Sequence, residues 1–168
     1  LAIWPLDEKA DYASMLSVAN LDIDSSWTVK TYSPLGVEIS GTTRSSYSLS
    51  SPIADAPSSQ IIAPSPGTND YAIVRLESPN LVSFQDIDQA FGTVTSGLWV
   101  NPISPDITKV EIGFTYTDPS TSNIVDVVDQ FEVSINNVWQ LVSTTKDLPN
   151  INAQVKMLVK VFYDKSTT

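Results

Sequence analysis

The fold is decided by Thr93-Val94-Thr95-Ser96-Gly97-Leu98-Trp99-Val100 and, after a proline-containing connection, Lys109-Val110-Glu111-Ile112-Gly113-Phe114-Thr115-Tyr116. Successive side chains of a β-strand project to opposite faces. In the first run Val94, Leu98 and Val100 therefore point one way and Thr95, Gly97 and Trp99 the other, the pattern of a half-buried strand. The connection Asn101-Pro102-Ile103-Ser104-Pro105-Asp106 carries two prolines, which lack the N–H that a ladder needs. In the second run Val110, Ile112, Phe114 and Tyr116 share one face, and Lys109, Glu111, Gly113 and Thr115 the other. An apolar sheet face must be covered by another layer, so the expected fold is all-β, a two-layer antiparallel sandwich.

The same period of two runs outward from this pair. Ala72, Val74 and Leu76 alternate with Tyr71, Ile73 and Arg75. Val155, Met157, Val159, Val161 and Tyr163 alternate with Lys156, Leu158, Lys160 and Phe162. Trp27, Val29 and Thr31 form a strand whose tryptophan is expected to anchor the core, as is Trp4 in Ile3-Trp4-Pro5-Leu6. Val37 and Ile39 make a short strand between Pro34-Leu35-Gly36 and Gly41. Leu81–Ile87 leads into the deciding pair, and Ile124–Val128 is followed by Phe131, Val133 and Ile135 in alternation. Asn136-Asn137 supplies a reversal, because Asn tolerates positive φ, and Trp139 and Leu141 are expected to face inward. Tyr12–Leu21 reads as a short helix or as a strand. From 44 to 69 the chain is rich in Ser and Pro and is expected mainly as a surface loop or arm, with brief edge strands at Tyr47-Ser48-Leu49 and Gln60-Ile61-Ile62. The total is about eight to ten strands, with turn signals at the spacing of an all-β sandwich.

A chain of 168 residues fits a single domain, 1–168, with a core large enough to fold without disulfides or metal. It opens on Leu1 and stops soon after a strong strand, and is expected to be a segment of something longer or processed. A net charge of -10 disfavours nucleic acid, whose binding depends on clustered Lys and Arg. No apolar run is long enough to insert into a membrane. The absence of Cys and His excludes thiolate zinc sites, Cys nucleophiles and Ser-His-Asp triads. The low charged fraction, with Ser, Thr and Asn carrying the polarity, suits an extracellular or assembly-type protein.

Five segments carry a family likeness: Ser83-Phe84-Gln85-Asp86-Ile87, Phe91-Gly92 with the Thr93–Val100 run, Lys109-Val110-Glu111-Ile112, Val138-Trp139-Gln140-Leu141-Val142-Ser143-Thr144-Thr145, and Val155-Lys156-Met157-Leu158-Val159. Together they resemble the galactose-binding-like jelly rolls of carbohydrate-binding modules, domains that also occur in bacteriophage tail fibres and other virion surface proteins. The resemblance covers about half the chain, from Leu81 to Tyr163, and implies jelly-roll topology. Such domains close with a further strand beyond Val155–Tyr163; here that strand is supplied by other sequence, by a neighbour, or not at all, leaving an edge open to strand addition.

The resemblance implies a non-catalytic structural and adhesion module of a phage virion, in a tail fibre, spike or head decoration, at the virion surface or otherwise extracellular. Its partners would be other virion proteins or copies of itself, with glycan contact. The alternative is a carbohydrate-binding module of a secreted polysaccharide-degrading enzyme. Trp99, opposite the core-facing residues of its strand, would present a flat ring to a sugar, unless the Ser-rich arm or a neighbouring subunit covers it; Tyr32 and Tyr47 are secondary contacts. No catalytic residue is assigned. The carboxylate pairs Asp22/Asp24, Asp86/Asp88 and Asp126/Asp129 border turns, where Asp is favoured for local hydrogen bonding, and lack the aromatic wall of a glycosidase cleft. No cofactor is expected. Structural calcium, which takes hard oxygen ligands from loops, is the ion these residues would suit, with its ligands unassigned.

Overall fold

The computed structural model describes residues 27–47, 58–80, 93–133, 137–148 and 154–165, which form strands and no helix. In chain order the strands are β1 (Thr28–Tyr32), β2 (Glu38–Ile39), β3 (Thr43–Tyr47), β4 (Ser58–Ile62), β5 (Tyr71–Asn80), β6 (Thr93–Val100), β7 (Ile107–Thr117), β8 (Ile124–Glu132), β9 (Gln140–Asp147) and β10 (Val155–Asp164). Six of them make one antiparallel sheet in the order β2-β1-β5-β10-β7-β8, while β3-β4 and β6-β9 form separate antiparallel ladders. The last strand in sequence, β10, lies at the centre of the large sheet between β5 and β7, and the described edges are β2 and β8.

Register brings the apolar positions into line. Val159 stands opposite Leu76 on β5 and Ile112 on β7, and Val161 opposite Val74 and Val110. On β8, Val127 faces Phe114 and Phe131 faces Val110. Against this face pack Val94, Leu98 and Val100 of β6, Val142 of β9, and Ile61 and Ala63 from β4 and just beyond it. Val94, Ile112 and Val159 belong to one buried cluster, with Phe131 packed on it, as the alternation requires. Trp27, only 3% exposed, anchors the same cluster.

Three local expectations meet a different outcome. Leu141 does not face inward: it is 56% exposed, and Trp139 is half-buried outside the cluster. Register is the cause, because β6 pairs Leu98 with Val142 and Trp99 with Leu141, so Val142 and Thr144 turn inward and Leu141, Ser143 and Thr145 turn out. Second, within the described part of the Ser/Pro-rich stretch the strand expected at Gln60-Ile61-Ile62 is present but belongs to the longer β4, and the strand expected from Tyr47 lies earlier, as β3; the two pair as a ladder with Thr43 opposite Ile62 and Tyr47 opposite Ser58. Third, Asp126 and Asp129, expected to border a turn, both lie within β8 and on its opposite faces, Asp126 opposite Thr115 and Asp129 opposite Ile112. Asn137 does adopt the left-handed conformation, at φ 59°. Trp4, Tyr12–Leu21, Leu81–Ile87, Ile135 and the pairs Asp22/Asp24 and Asp86/Asp88 lie outside the described residues.

The close approach of β8 to β7 shapes the sheet. Gly113 points away from the core, and a Cβ built there would lie 2.0 Å from the Val127 carbonyl oxygen and 2.8 Å from Val128 Cα. Only a residue without a side chain lets the β8 backbone come this close to β7. On β8, Asp126 reaches Arg75 of β5 although β10 and β7 lie between the two strands in the sheet order.

Candidate functional site

The outward face of the β6–β9 ladder collects the features of a small binding platform. Trp99 is 38% exposed and stands opposite Leu141, Gly97 opposite Ser143, and Thr95 opposite Thr145. The two threonine hydroxyls lie 2.9 Å apart in an exposed hydrogen bond. Beyond the end of the ladder the Asn137 amide donates to the Pro102 carbonyl at 2.8 Å, drawing together the segments that carry the exposed side chains of Ile103 and Val138. An exposed indole beside aliphatic groups offers an apolar surface, and hydroxyls beside it both donate and accept. The ladder holds these groups on regular strands, which positions them more firmly than a loop would.

Trp99 and Tyr32 are not brought together. Tyr32 stands on the outer face of the six-stranded sheet, half-buried, opposite Ile73 and Glu38. Its row across the sheet continues through Ile73 to Phe162 and Lys109. There the Tyr71 and Phe162 rings lie 6.3 Å apart and the Lys109 ammonium sits 4.0 Å over the Phe162 ring. Tyr47 closes β3 opposite Ser58, and its side chain lies outside the described residues.

A second assembly on that outer face was not singled out in the sequence. Arg75 donates to Asp126 at 2.7 and 2.9 Å, to Glu77 at 2.6 Å and to the Thr115 hydroxyl at 3.0 Å. Lys160 bridges Glu111 at 2.9 Å and Asp126 at 3.3 Å, Lys156 reaches Glu77 at 3.3 Å, and Lys109 reaches Glu111 at 3.1 Å. The side chains of Arg75 and Asp126 are only 18% and 22% exposed, so water screens them weakly. Burial pushes the Asp126 carboxyl up, but hydrogen bonds from Arg75 and Thr115 and the charges of Arg75 and Lys160 outweigh it and hold it below the usual carboxylate range. Glu77 and Glu111 are lowered in the same way, burial opposing, by Arg75 with Lys156 and by Lys160 with Lys109 respectively. The available signal was charge at period two, as in Arg75/Glu77, Lys109/Glu111 and Lys156/Lys160; the cross-strand order that joins them is tertiary.

On its own face of β8, Asp129 pairs with Lys146 and accepts from the Thr144 hydroxyl, while Asp126 accepts from the Thr115 hydroxyl on the other face, so the two carboxylates do not face each other. Among the described residues no three Asp or Glu side chains gather to hold a metal ion.

No family model matches the sequence, and no curated protein matches it. Among solved structures, the enzymatically active domain of tailspike protein 4 of bacteriophage CBA120 is similar, with a TM-score of 0.56 at 13% identity. The likeness covers 88% of this chain and 19% of that one. At such identity it is a likeness of fold.

Proposed function

We propose that the chain is a two-layer jelly-roll domain of a phage virion surface protein, in a spike, fibre or head decoration, working without catalysis through assembly and glycan contact. The observation that carries glycan contact is Trp99, held half in water on a regular strand beside Leu141 and a row of hydroxyls. The fold shared with part of a phage tailspike supports the phage setting. The other reading, a carbohydrate-binding module of a secreted polysaccharide-degrading enzyme, draws on the same Trp99 face and differs in what adjoins the domain.

A glycan array tests the contact: saturable binding that Trp99→Ala abolishes is expected, and flat responses to every glycan would remove it. Light scattering tests assembly, with a trimer or larger species expected for the virion protein. A monomer at micromolar concentration would favour the secreted module.

A further inference from the structure

We infer, resting on the glycan contact proposed above, that the outer face of the β6–β9 ladder takes a neutral oligosaccharide laid along the strands. Trp99 and Leu141 lie under the apolar face of one ring, and Thr95, Thr145 and Ser143 hydrogen-bond the hydroxyls of its neighbours across the gap at Gly97. From Trp99 to Thr95 the strand runs about 13 Å at the usual rise per residue, longer than a single sugar ring.

Charge placement decides the class of sugar. The chain has nine Lys and Arg residues. Lys30, Arg75, Lys109, Lys156 and Lys160 all stand on the outer face of the six-stranded sheet, as their register with one another and with Glu77, Glu111 and Thr115 shows. Lys146 turns inward from β9 to Asp129, the Arg44 guanidinium donates to the Trp27 carbonyl, and Lys165 follows β10. Lys9 lies outside the described residues. Lys146 is the one Lys or Arg on β6 or β9, and it turns inward, so neither strand of the ladder presents a cation on the Trp99 face. A carboxylated or sulfated sugar bound there would lose hydration with no Arg or Lys of the ladder to offset the loss, against a protein of net charge -10.

Gly97 supplies the second observation. Its φ is not positive, and an added Cβ would meet its nearest neighbours, Ser143 Cβ at 3.5 Å and the Val142 carbonyl oxygen at 3.6 Å, in ordinary contact. Neither backbone nor packing requires glycine. In a strand it costs about 0.5–1 kcal/mol relative to alanine, so its use keeps the floor low between Trp99 and Thr95.

The test is a titration of the chain with uncharged, carboxylated and sulfated oligosaccharides. Neutral sugars are expected to bind at least about tenfold more tightly than charged ones, with little dependence on salt. Gly97→Val is expected to keep or raise the melting temperature while weakening binding about tenfold or more, a combination that lost folding cannot produce. Trp99-dependent binding of an anionic sugar as tight as any neutral one would overturn this inference and leave the glycan contact standing. Unaltered binding by Gly97→Val would overturn the lengthwise placement. Failure of all sugars to bind would overturn the glycan contact itself.

Discussion

Replacing Gly113 with alanine is expected to destabilise the protein by about 3 kcal/mol. The added Cβ would sit 2.0 Å from the Val127 carbonyl oxygen, where ordinary contact begins near 3.4 Å. Cβ is fixed by the backbone, and so is the atom it meets, so no rotamer change relieves the clash. Strand β8 must retreat by more than an ångström at the middle of its pairing with β7, where Gly113 faces Val128. Overpacking of this kind typically costs about 1–3 kcal/mol. The retreat also loosens Val127 from the core and draws Asp126 away from Arg75, whose separation from a partly buried partner costs up to about 3–5 kcal/mol when complete. Urea unfolding reads the sum: with a slope of about 1–3 kcal/mol per molar for a small protein, the midpoint should fall by about 1–3 M. Gly97→Ala is the control, because its Cβ fits, and it should hold the midpoint or raise stability by about 0.5–1 kcal/mol. A Gly113→Ala midpoint equal to that of the parent, or equal losses in both variants, would refute the account of how β8 lies on the sheet.

Arg75→Met should cost about 2–4 kcal/mol at neutral pH by stranding Asp126 and Glu77, less than a full buried-pair loss because Lys156 and Lys160 remain beside them. Asp126, Glu77 and Glu111 titrate below their unfolded values, so their stabilisation is complete above about pH 4 and disappears as pH falls through the lower folded values. Urea midpoints should therefore drop from pH 5 toward pH 2 in the parent and drop less in Arg75→Met; parallel profiles would sink the assignment. Trp27→Ala should cost about 3–5 kcal/mol, whereas Trp99→Ala, on the surface, should cost about 1 kcal/mol, and comparable thermal shifts would contradict their placement. Exhaustive chelation is expected to leave the melting temperature unchanged, and a clear fall would establish a structural ion.

The residues themselves determined which faces are apolar. Val94/Leu98/Val100, Val110/Ile112/Phe114 and Val155/Met157/Val159 could be assigned to the core because side-chain direction alternates strictly along a strand and apolar groups leave water. The exposure of Trp99 followed from the same rule. Strands with equally good claims in both phases could not be settled that way: Val138–Thr145 offers apolar residues on either side, and its orientation was set by pairing with β6. Likewise the ladder formed by Thr43–Tyr47 and Ser58–Ile62 lacks the alternation that marks a half-buried strand. The contact between Arg75 and Asp126, and the close approach of β8 to Gly113, depend on residues far apart in the chain. Local periodicity encodes only which way a side chain points; which strand lies beside it is decided by how the faces fit when the whole chain closes on one core.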